Sequence, residues 1–154
     1  MSRASQTITV DAPIGVVYDQ WTQFEEFPRF MEGVKEVRQT DDSRLHWVAE
    51  IAGKDQEWDA QIVEQIPEER IAWRSTGGTR NDGVVSFMSL EPDRTNVSVE
   101  MDVEPDGLLE KAGDALGFVE MRVRRDLERF KDFIEERGTA TGSWRGEISD
   151  GTLS

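Results

Sequence analysis

Polar and apolar residues alternate along a series of short segments in the middle of the chain, and this pattern constrains the fold more than any other feature. The clearest segment is TNVSVEMDV, in which Val97, Val99, Met101 and Val103 alternate with polar residues. Successive side chains of a β-strand point to opposite faces of its sheet, so this period of two predicts a strand with one buried and one solvated face. Short connections such as PEE, NDG and PDR predict an antiparallel meander.

The segments between Val34 and Leu90 are predicted strands of the same kind. Their inward-facing positions are Leu45, Trp47, Ala49, Ile51, Trp58, Ala60, Ile62, Ile71, Trp73, Ser75, Val85 and Phe87. Within RLHWVAEIAG, the same alternation places His46 on the outer face. Three tryptophans therefore share the inner face of the predicted sheet.

A strand, a helix and an aromatic segment precede this meander. Ser5–Val10 alternates like the later strands, and Asp11 is a predicted helix N-cap with Pro13 in the first turn. The following helix has one apolar face that includes Val17 and Trp21. The next segment, FEEFPRFM, is too apolar for a solvated loop, so we expect it to pack on the core.

The C-terminal part of the chain has a helical period instead. From Leu108 to Arg137, apolar residues recur every three or four positions, which predicts one long amphipathic helix with a weak point at Gly113 and Gly117. We assign the i,i+4 pairs Glu120–Arg124 and Arg122–Asp126 to its outer face. Gly138 is a predicted stop, and the polar, aperiodic residues 139–154 are predicted to be a flexible tail. The folded domain is therefore expected over residues 1–138.

Composition excludes several classes of function. The formal net charge is −14, which repels nucleic acid and anionic lipid headgroups. Cysteine is absent and histidine occurs once, so disulfides and thiolate metal sites are excluded, and we expect no metal site and no cofactor. No apolar run approaches the roughly 20 residues of a membrane span, and no signal sequence is visible, so a cytoplasmic location without stable membrane insertion is expected.

Several segments together resemble the START-like superfamily. TITVDAPIGVVYDQWTQFEEFPRFMEGVKEV is similar to its opening, and HWVAEIAGKDQEWDAQIVEQIPEERIAWRSTGG, GVVSFMSL and RRDLERFKDFIEERG resemble its polyketide cyclase/dehydrase branch, which includes coenzyme Q-binding proteins. The resemblance covers Thr7 to about Gly138. It implies an α+β helix-grip fold: a curved antiparallel sheet of about seven strands around a long C-terminal helix, with two short helices after the first strand.

The resemblance also implies a cavity between sheet and helix, and it leaves three functions open. The protein could bind a small hydrophobic or polycyclic ligand as a polyketide cyclase/dehydratase-like enzyme that uses no metal. It could carry a quinone or a lipid without turnover. It could also be an acidic interaction module whose cavity is vestigial. Fold alone does not decide among them.

Trp47, Trp58 and Trp73 are the leading candidates for the wall of such a cavity, because large apolar pockets are the usual ligand sites. The full set of predicted lining residues is Trp47, Trp58, Trp73, Ser75, Phe87, Val99, Met101, Leu116 and Val123. Packing of these side chains in a solid core is the alternative. No catalytic residue can be assigned, since His46 faces outward and Tyr18 belongs to no recognisable motif. The segment Gly77–Gly83 precedes no helix and does not indicate a phosphate loop.

The basic residues suggest one measurement. Of the 18 Lys and Arg residues, only four are lysines: Lys35, Lys54, Lys111 and Lys131. Either a GC-rich genome or a salt-rich cytoplasm explains this preference for arginine. We favour genome composition. Under salt adaptation, the melting temperature rises with added KCl because screening relieves repulsion between carboxylates. Under genome composition, thermal unfolding shows a flat response to KCl.

Overall fold

A computed structural model describes residues 2–51, 53–78, 80–104 and 115–153, with residues 2, 51, 104 and 115–118 described by their backbone alone. Its elements, in chain order, are β1 (Ser2–Val10), α1 (Ile14–Trp21), a 3-10 helix (Phe24–Arg29), β2 (Val34–Asp41), β3 (Arg44–Ile51), β4 (Lys54–Ile66), β5 (Arg70–Gly78), β6 (Arg80–Glu91), β7 (Arg94–Glu104), α2 (Ala115–Arg137), β8 (Ile148–Ser149) and β9 (Thr152–Leu153).

The strands form one antiparallel sheet in the order β1-β7-β6-β5-β4-β3-β2. The middle strands follow one another as a meander, while β1 returns to pair with β7, where Ile8 lies opposite Val97. Bulges in the pairing of β2 with β3 and of β4 with β5 bend the sheet. The result is the curved antiparallel sheet with a C-terminal helix that the sequence predicts.

The alternation of inward and outward residues is confirmed along the meander. Val97, Val99 and Val103 are buried, as are Val85 and Phe87 on β6. The pairing of β3 with β4 is continuous past His46, so its side chain stays on the outer face. There His46 Nδ1 lies 2.7 Å from Asp59 Oδ1, and Nε2 lies 3.2 Å from Glu57 Oε1.

The aromatic segment after α1 packs on the core, as predicted. Phe24, Phe27, Phe30 and Met31 are all buried. Their rings meet edge-on or tilted, with ring centroids 5.5 Å apart for Phe24 and Phe27 and 5.6 Å apart for Phe27 and Phe30. These contacts are the geometry that aromatic pairs prefer, and they seal one end of the sheet against α2.

The start of α1 differs from the prediction. Pro13, not Asp11, occupies the N-cap position, and no side chain caps this helix. The Pro13 carbonyl accepts the first helical hydrogen bonds, so the helix begins two residues later than expected. Asp11 instead donates its backbone N–H to Glu135 Oε2 at 2.7 Å and places its carboxylate 3.3 Å from Arg94 Nε.

Helix α2 buries Val119, Val123, Leu127, Phe130 and Ile134, in agreement with the predicted stripe. It ends where Gly138 adopts a φ of +75°, a left-handed conformation that glycine takes without steric cost. The part of the predicted helix before Ala115, including the predicted weak point at Gly113, lies outside the described residues.

The outer face of α2 was only partly predicted. Arg124 Nε lies 3.7 Å from Glu128 Oε2, so Arg124 pairs with Glu128. Arg122 and Asp126 do not belong to the outer face, because both border the space between helix and sheet. This correction matters for the functional site.

The C-terminal segment, which the sequence predicts to be a flexible tail, contacts the folded domain. Arg145 Nε donates to Asp19 Oδ1 at 2.9 Å and Arg145 Nη1 donates to Glu68 Oε2 at 2.7 Å. Ile148 is fully buried and lies opposite Gln65 in the pairing of β8 with β4. A mostly polar composition hid these isolated anchoring side chains, which bind the segment to α1 and β4.

The variant Ile148→Ala tests this docking. Removal of a fully buried isoleucine side chain is expected to lower the free energy of unfolding by about 2–5 kcal/mol. Leu153→Ala is the matched control, because Leu153 lies in the same segment but is exposed, and its loss should cost less than about 1 kcal/mol. Urea unfolding measures both, and equal, small effects would show that the segment does not dock.

Candidate functional site

A cavity of about 150 Å³ lies between α2 and the inner face of the sheet. Strands β3 to β7 form one wall, and α2 forms the other. Phe24 and Phe27 from the 3-10 helix close one side. The cavity exists because inward-facing residues of the curved sheet meet a single helix, which cannot follow the curvature everywhere.

The tryptophans form the most distinctive part of the wall. Trp47 and Trp58 lie directly opposite each other on β3 and β4. Their rings stack, with centroids 5.6 Å apart and planes 10° from parallel. Trp73, on β5, donates its indole N–H to Asn81 Oδ1 at 3.1 Å. Flat rings of this kind offer large contact areas at little cost in side-chain entropy.

Most of the predicted lining residues are found on this wall. The structure places Trp47, Trp58, Trp73, Val99, Met101 and Val123 around the cavity. Their contact with a ligand stays a prediction. The side chain of Leu116 lies outside the residues that the structure describes.

Ser75 and Phe87 do not line the cavity. The Ser75 hydroxyl donates to Asp82 Oδ1 at 3.1 Å and accepts the Asn81 backbone N–H at 3.2 Å, so local hydrogen bonds engage it. Phe87 faces inward but packs edge-on against Tyr18 and Trp21, with centroid distances of 5.4 Å and 6.2 Å. An inward position in a strand is therefore not sufficient to place a side chain at the cavity, because α1 covers part of the inner face of the sheet.

Sequence reasoning missed the polar residues of the cavity, which are Glu50, Asn81, Arg122 and Asp126. A signal for Asp126 was present. It lies three positions after Val123 and four before Phe130, both of which are buried, so it falls on the apolar stripe of α2. A charged residue on such a stripe indicates either a strained core or a functional group.

Asp126 occupies an unusual environment. Its Oδ1 is closed off from solvent and accepts no hydrogen bond from any described residue. Burial raises the pKa of Asp126 to about 7, against the opposing effects of Arg122, of a hydrogen bond from the Glu32 backbone and of Arg129. The carboxyl group can therefore gain or lose a proton near neutral pH.

Charged groups surround the rim of the cavity beside Asp126. The Arg122 guanidinium lies against Gly33, where an added Cβ would stand 1.7 Å from Arg122 Nη1. Arg129 Nη1 lies 2.6 Å from Glu32 Oε2, which connects α2 to the segment before β2. A side chain at position 33 would displace the Arg122 guanidinium and would also come within 3.0 Å of the Glu50 backbone carbonyl oxygen.

The other candidates lie away from the cavity. Tyr18 is fully buried on the inner face of α1, where its hydroxyl accepts a hydrogen bond from Gln65 Nε2 at 3.0 Å. Burial raises the pKa of Tyr18. Within the described residues, histidine and carboxylate side chains form no group of three able to hold a metal ion. No helix among these residues is both long and apolar enough to cross a membrane.

A curved sheet that grips a C-terminal helix, with a cavity between them, defines the START-like class of proteins. The chain belongs to the polyketide cyclase / dehydrase and lipid transport family, whose model matches residues 10–132. It is 50% identical over 149 residues to a 17.2 kDa protein encoded in the melC2-rnhH intergenic region of Streptomyces lincolnensis. The aligned residues cover 96% of this chain and 99% of that protein.

Solved structures show the same fold. A START superfamily protein from Mycobacterium smegmatis superposes with a TM-score of 0.77 at 19% identity, covering 89% of this chain and 99% of that chain. The Zhui aromatase/cyclase from Streptomyces sp. R1128 superposes with a TM-score of 0.69 at 18% identity, covering 92% of this chain and 98% of that chain. Family membership and fold together identify a START-like protein with the architecture of a ligand-binding module.

The variant Asp126→Asn tests the buried carboxyl group. The folded protein keeps the Asp126 proton up to about pH 7, whereas an unfolded chain releases it near pH 4. Ionisation therefore lowers stability, and the wild type loses this part of its free energy of unfolding as pH rises from about 4 to about 7. Above that range the variant should be more stable because its amide stays neutral, and each unit of difference between the folded and the unfolded pKa corresponds to about 1.4 kcal/mol.

Urea unfolding across this pH range measures the difference in free energy of unfolding between the variant and the wild type. Asp132→Asn is the control, since Asp132 lies on the exposed face of the same helix. A stability difference between Asp126→Asn and the wild type that does not change with pH would contradict the buried, near-neutral carboxyl group.

Proposed function

We propose that the protein binds a small, flat, mainly apolar molecule in the cavity between α2 and the sheet. The stacked pair of Trp47 and Trp58 carries this proposal, because it forms part of the cavity wall and does not fill the space in front of it. Val99 and Val123 supply aliphatic walls. Apolar walls offer water few hydrogen-bond partners, so a cavity of this kind favours an apolar ligand.

The volume of the cavity limits the size of that molecule. An apolar cavity of about 150 Å³ can hold a molecule of the size of benzene. The cavity between α2 and the sheet has this volume. A single ring therefore fits without rearrangement. A polycyclic or isoprenoid molecule fits only when neighbouring side chains move or when part of it extends through the rim beside Arg122.

Polar groups in the cavity favour a cyclase/dehydratase-like activity over a purely passive carrier. A quinone or lipid carrier needs only an apolar wall, whereas proton transfer needs a group that titrates near the working pH. Asp126 meets this condition, since its pKa lies at about 7. In a dehydration, the Asp126 carboxylate removes a proton from the carbon next to a carbonyl group. The C–O bond of the neighbouring carbon then breaks as the C=C bond forms, and the Asp126 carboxylic acid returns its proton to the departing hydroxide, which leaves as water. The presence of a cavity counts against an interaction module with a vestigial site.

Native mass spectrometry of the protein purified from its own host tests the proposal. We expect an additional mass that is released on denaturation and that belongs to a small molecule rich in carbon and hydrogen. A protein that carries no such mass, and that takes up no added aromatic compound, would contradict the proposal.

The variant Val123→Phe provides a second test. The added ring enters the void, so the affinity for toluene, measured by NMR titration of the indole resonances, should fall at least tenfold. Overpacking of a filled core costs about 1–3 kcal/mol, but a ring that enters an empty space should lower the free energy of unfolding by no more than about 1 kcal/mol.

Met121→Phe is the matched control, because Met121 lies on the same helix and is exposed. This variant should bind toluene as the wild type does. Val123→Phe with unchanged toluene affinity would show that toluene binds elsewhere, and a large loss of stability would show that no void exists beside Val123.

A further inference from the structure

Two buried side-chain oxygens among the described residues accept no hydrogen bond, and they lie in different surroundings. Gln65 Oε1 belongs to a fully buried residue of the core, beside Tyr18. Asp126 Oδ1 belongs to a residue of the cavity wall. A buried polar atom without a hydrogen bond destabilises the folded protein, so a partner that enters the cavity and bonds to Asp126 removes this penalty.

Charged groups on three sides restrict what this partner is. Arg122 and Arg129 lie on α2 with Asp126, Glu32 lies on the segment before β2, and Glu50 lies at the rim on β3. The charges of Arg122 and Arg129 are balanced by those of Glu32 and Glu50, with Arg129 paired to Glu32 at 2.6 Å, so the rim attracts neither a cation nor an anion. A carboxylate ligand is disfavoured by the carboxyl group of Asp126 itself and by the net charge of −14. The partner is therefore a neutral polar group on an apolar molecule.

Among neutral groups, a hydroxyl fits best. A hydroxyl donates to an ionised carboxylate and also accepts from a protonated carboxylic acid, so it satisfies Asp126 in both protonation states. A carbonyl or an ether only accepts and pairs with the protonated form alone. An aromatic or enolic hydroxyl also lies in the plane of a flat ring, which suits the apolar walls around Trp47 and Trp58.

We propose that the ligand is a hydroxylated ring, a phenol or an enol, and that Asp126 holds its hydroxyl group while the walls of the cavity contact the ring. This inference rests on the proposed ligand-binding function and specifies the ligand class. Asp126 then selects hydroxylated over unsubstituted rings and fixes which edge of the ring faces α2.

Binding of phenol and toluene tests this assignment. The two molecules have nearly the same shape, and only phenol offers a hydroxyl. Dissociation constants are measured by NMR titration of the indole resonances for the wild type, Asp126→Ala, Asp126→Asn and the control Asp132→Asn. The relevant quantity is the preference, defined as the dissociation constant for toluene divided by that for phenol.

We expect Asp126→Ala to bind toluene at least as tightly as the wild type and to lose at least about tenfold of the preference for phenol, equivalent to about 1.4 kcal/mol. Asp126→Asn retains part of this preference because an amide still forms hydrogen bonds. In the wild type the preference rises between pH 6 and 8, since a carboxylate is a stronger acceptor than a carboxylic acid. In Asp126→Asn it stays constant with pH.

The outcomes separate the two proposals. An unchanged preference in Asp126→Ala, with toluene and phenol both bound, overturns the role of Asp126 and leaves ligand binding intact. Failure of the wild type to bind either probe overturns ligand binding and the role of Asp126 together. Loss of the preference in Asp132→Asn as well would show that helix charge, and not contact with Asp126, is responsible.

Discussion

The packing of a single helix against a curved sheet is the constraint on which the rest of the structure depends. Toward its C-terminal end, α2 lies tightly against aromatic neighbours: Phe130 is fully buried, with ring centroids 4.9 Å from Trp21 and 5.3 Å from Phe30. Val119 and Val123, earlier in the helix, face the cavity instead. The cavity thus lies beside the part of α2 that precedes the tightly packed Phe130.

The same arrangement explains the raised pKa of the Asp126 carboxyl group and its cost to stability. A low-dielectric space magnifies the cost of an unpaired charge, so Asp126 titrates close to neutrality and not near its ordinary pKa. Replacement by an apolar residue is expected to stabilise the fold, since the position belongs to an otherwise apolar stripe. A residue that lowers stability and faces a cavity is typical of a functional group, because activity and stability often conflict at such sites.

Much of the fold could be predicted from the sequence, because periodicity reports directly on burial. The alternation through Val97 and Val99 and the stripe through Leu127 and Phe130 both match the structure. Trp47 and Trp58 were predicted to share a face, but their stacking depends on strand register, which depends on pairing between distant segments. Ser75 was assigned to the cavity wrongly, because its contact with Asp82 comes from a neighbouring strand whose alignment a single sequence does not give.

The polar part of the site was harder to predict. Arg122 and Asp126 have the i,i+4 spacing of a surface ion pair, and that local pattern is indistinguishable from a pair that borders a cavity unless the rotation of the helix is known. Docking of the C-terminal segment depends on a few residues, such as Arg145 and Ile148, scattered among polar ones. Periodicity does not detect anchors of this kind.

A crystal structure of the protein soaked with iodobenzene tests the central claim most directly, because anomalous scattering locates the iodine atom independently of the rest of the structure. The account predicts an iodine peak between α2 and the sheet, with the ring in van der Waals contact with Trp58 and Val123. An interior closed by collapsed side chains, with iodine bound only at the protein surface, would contradict it.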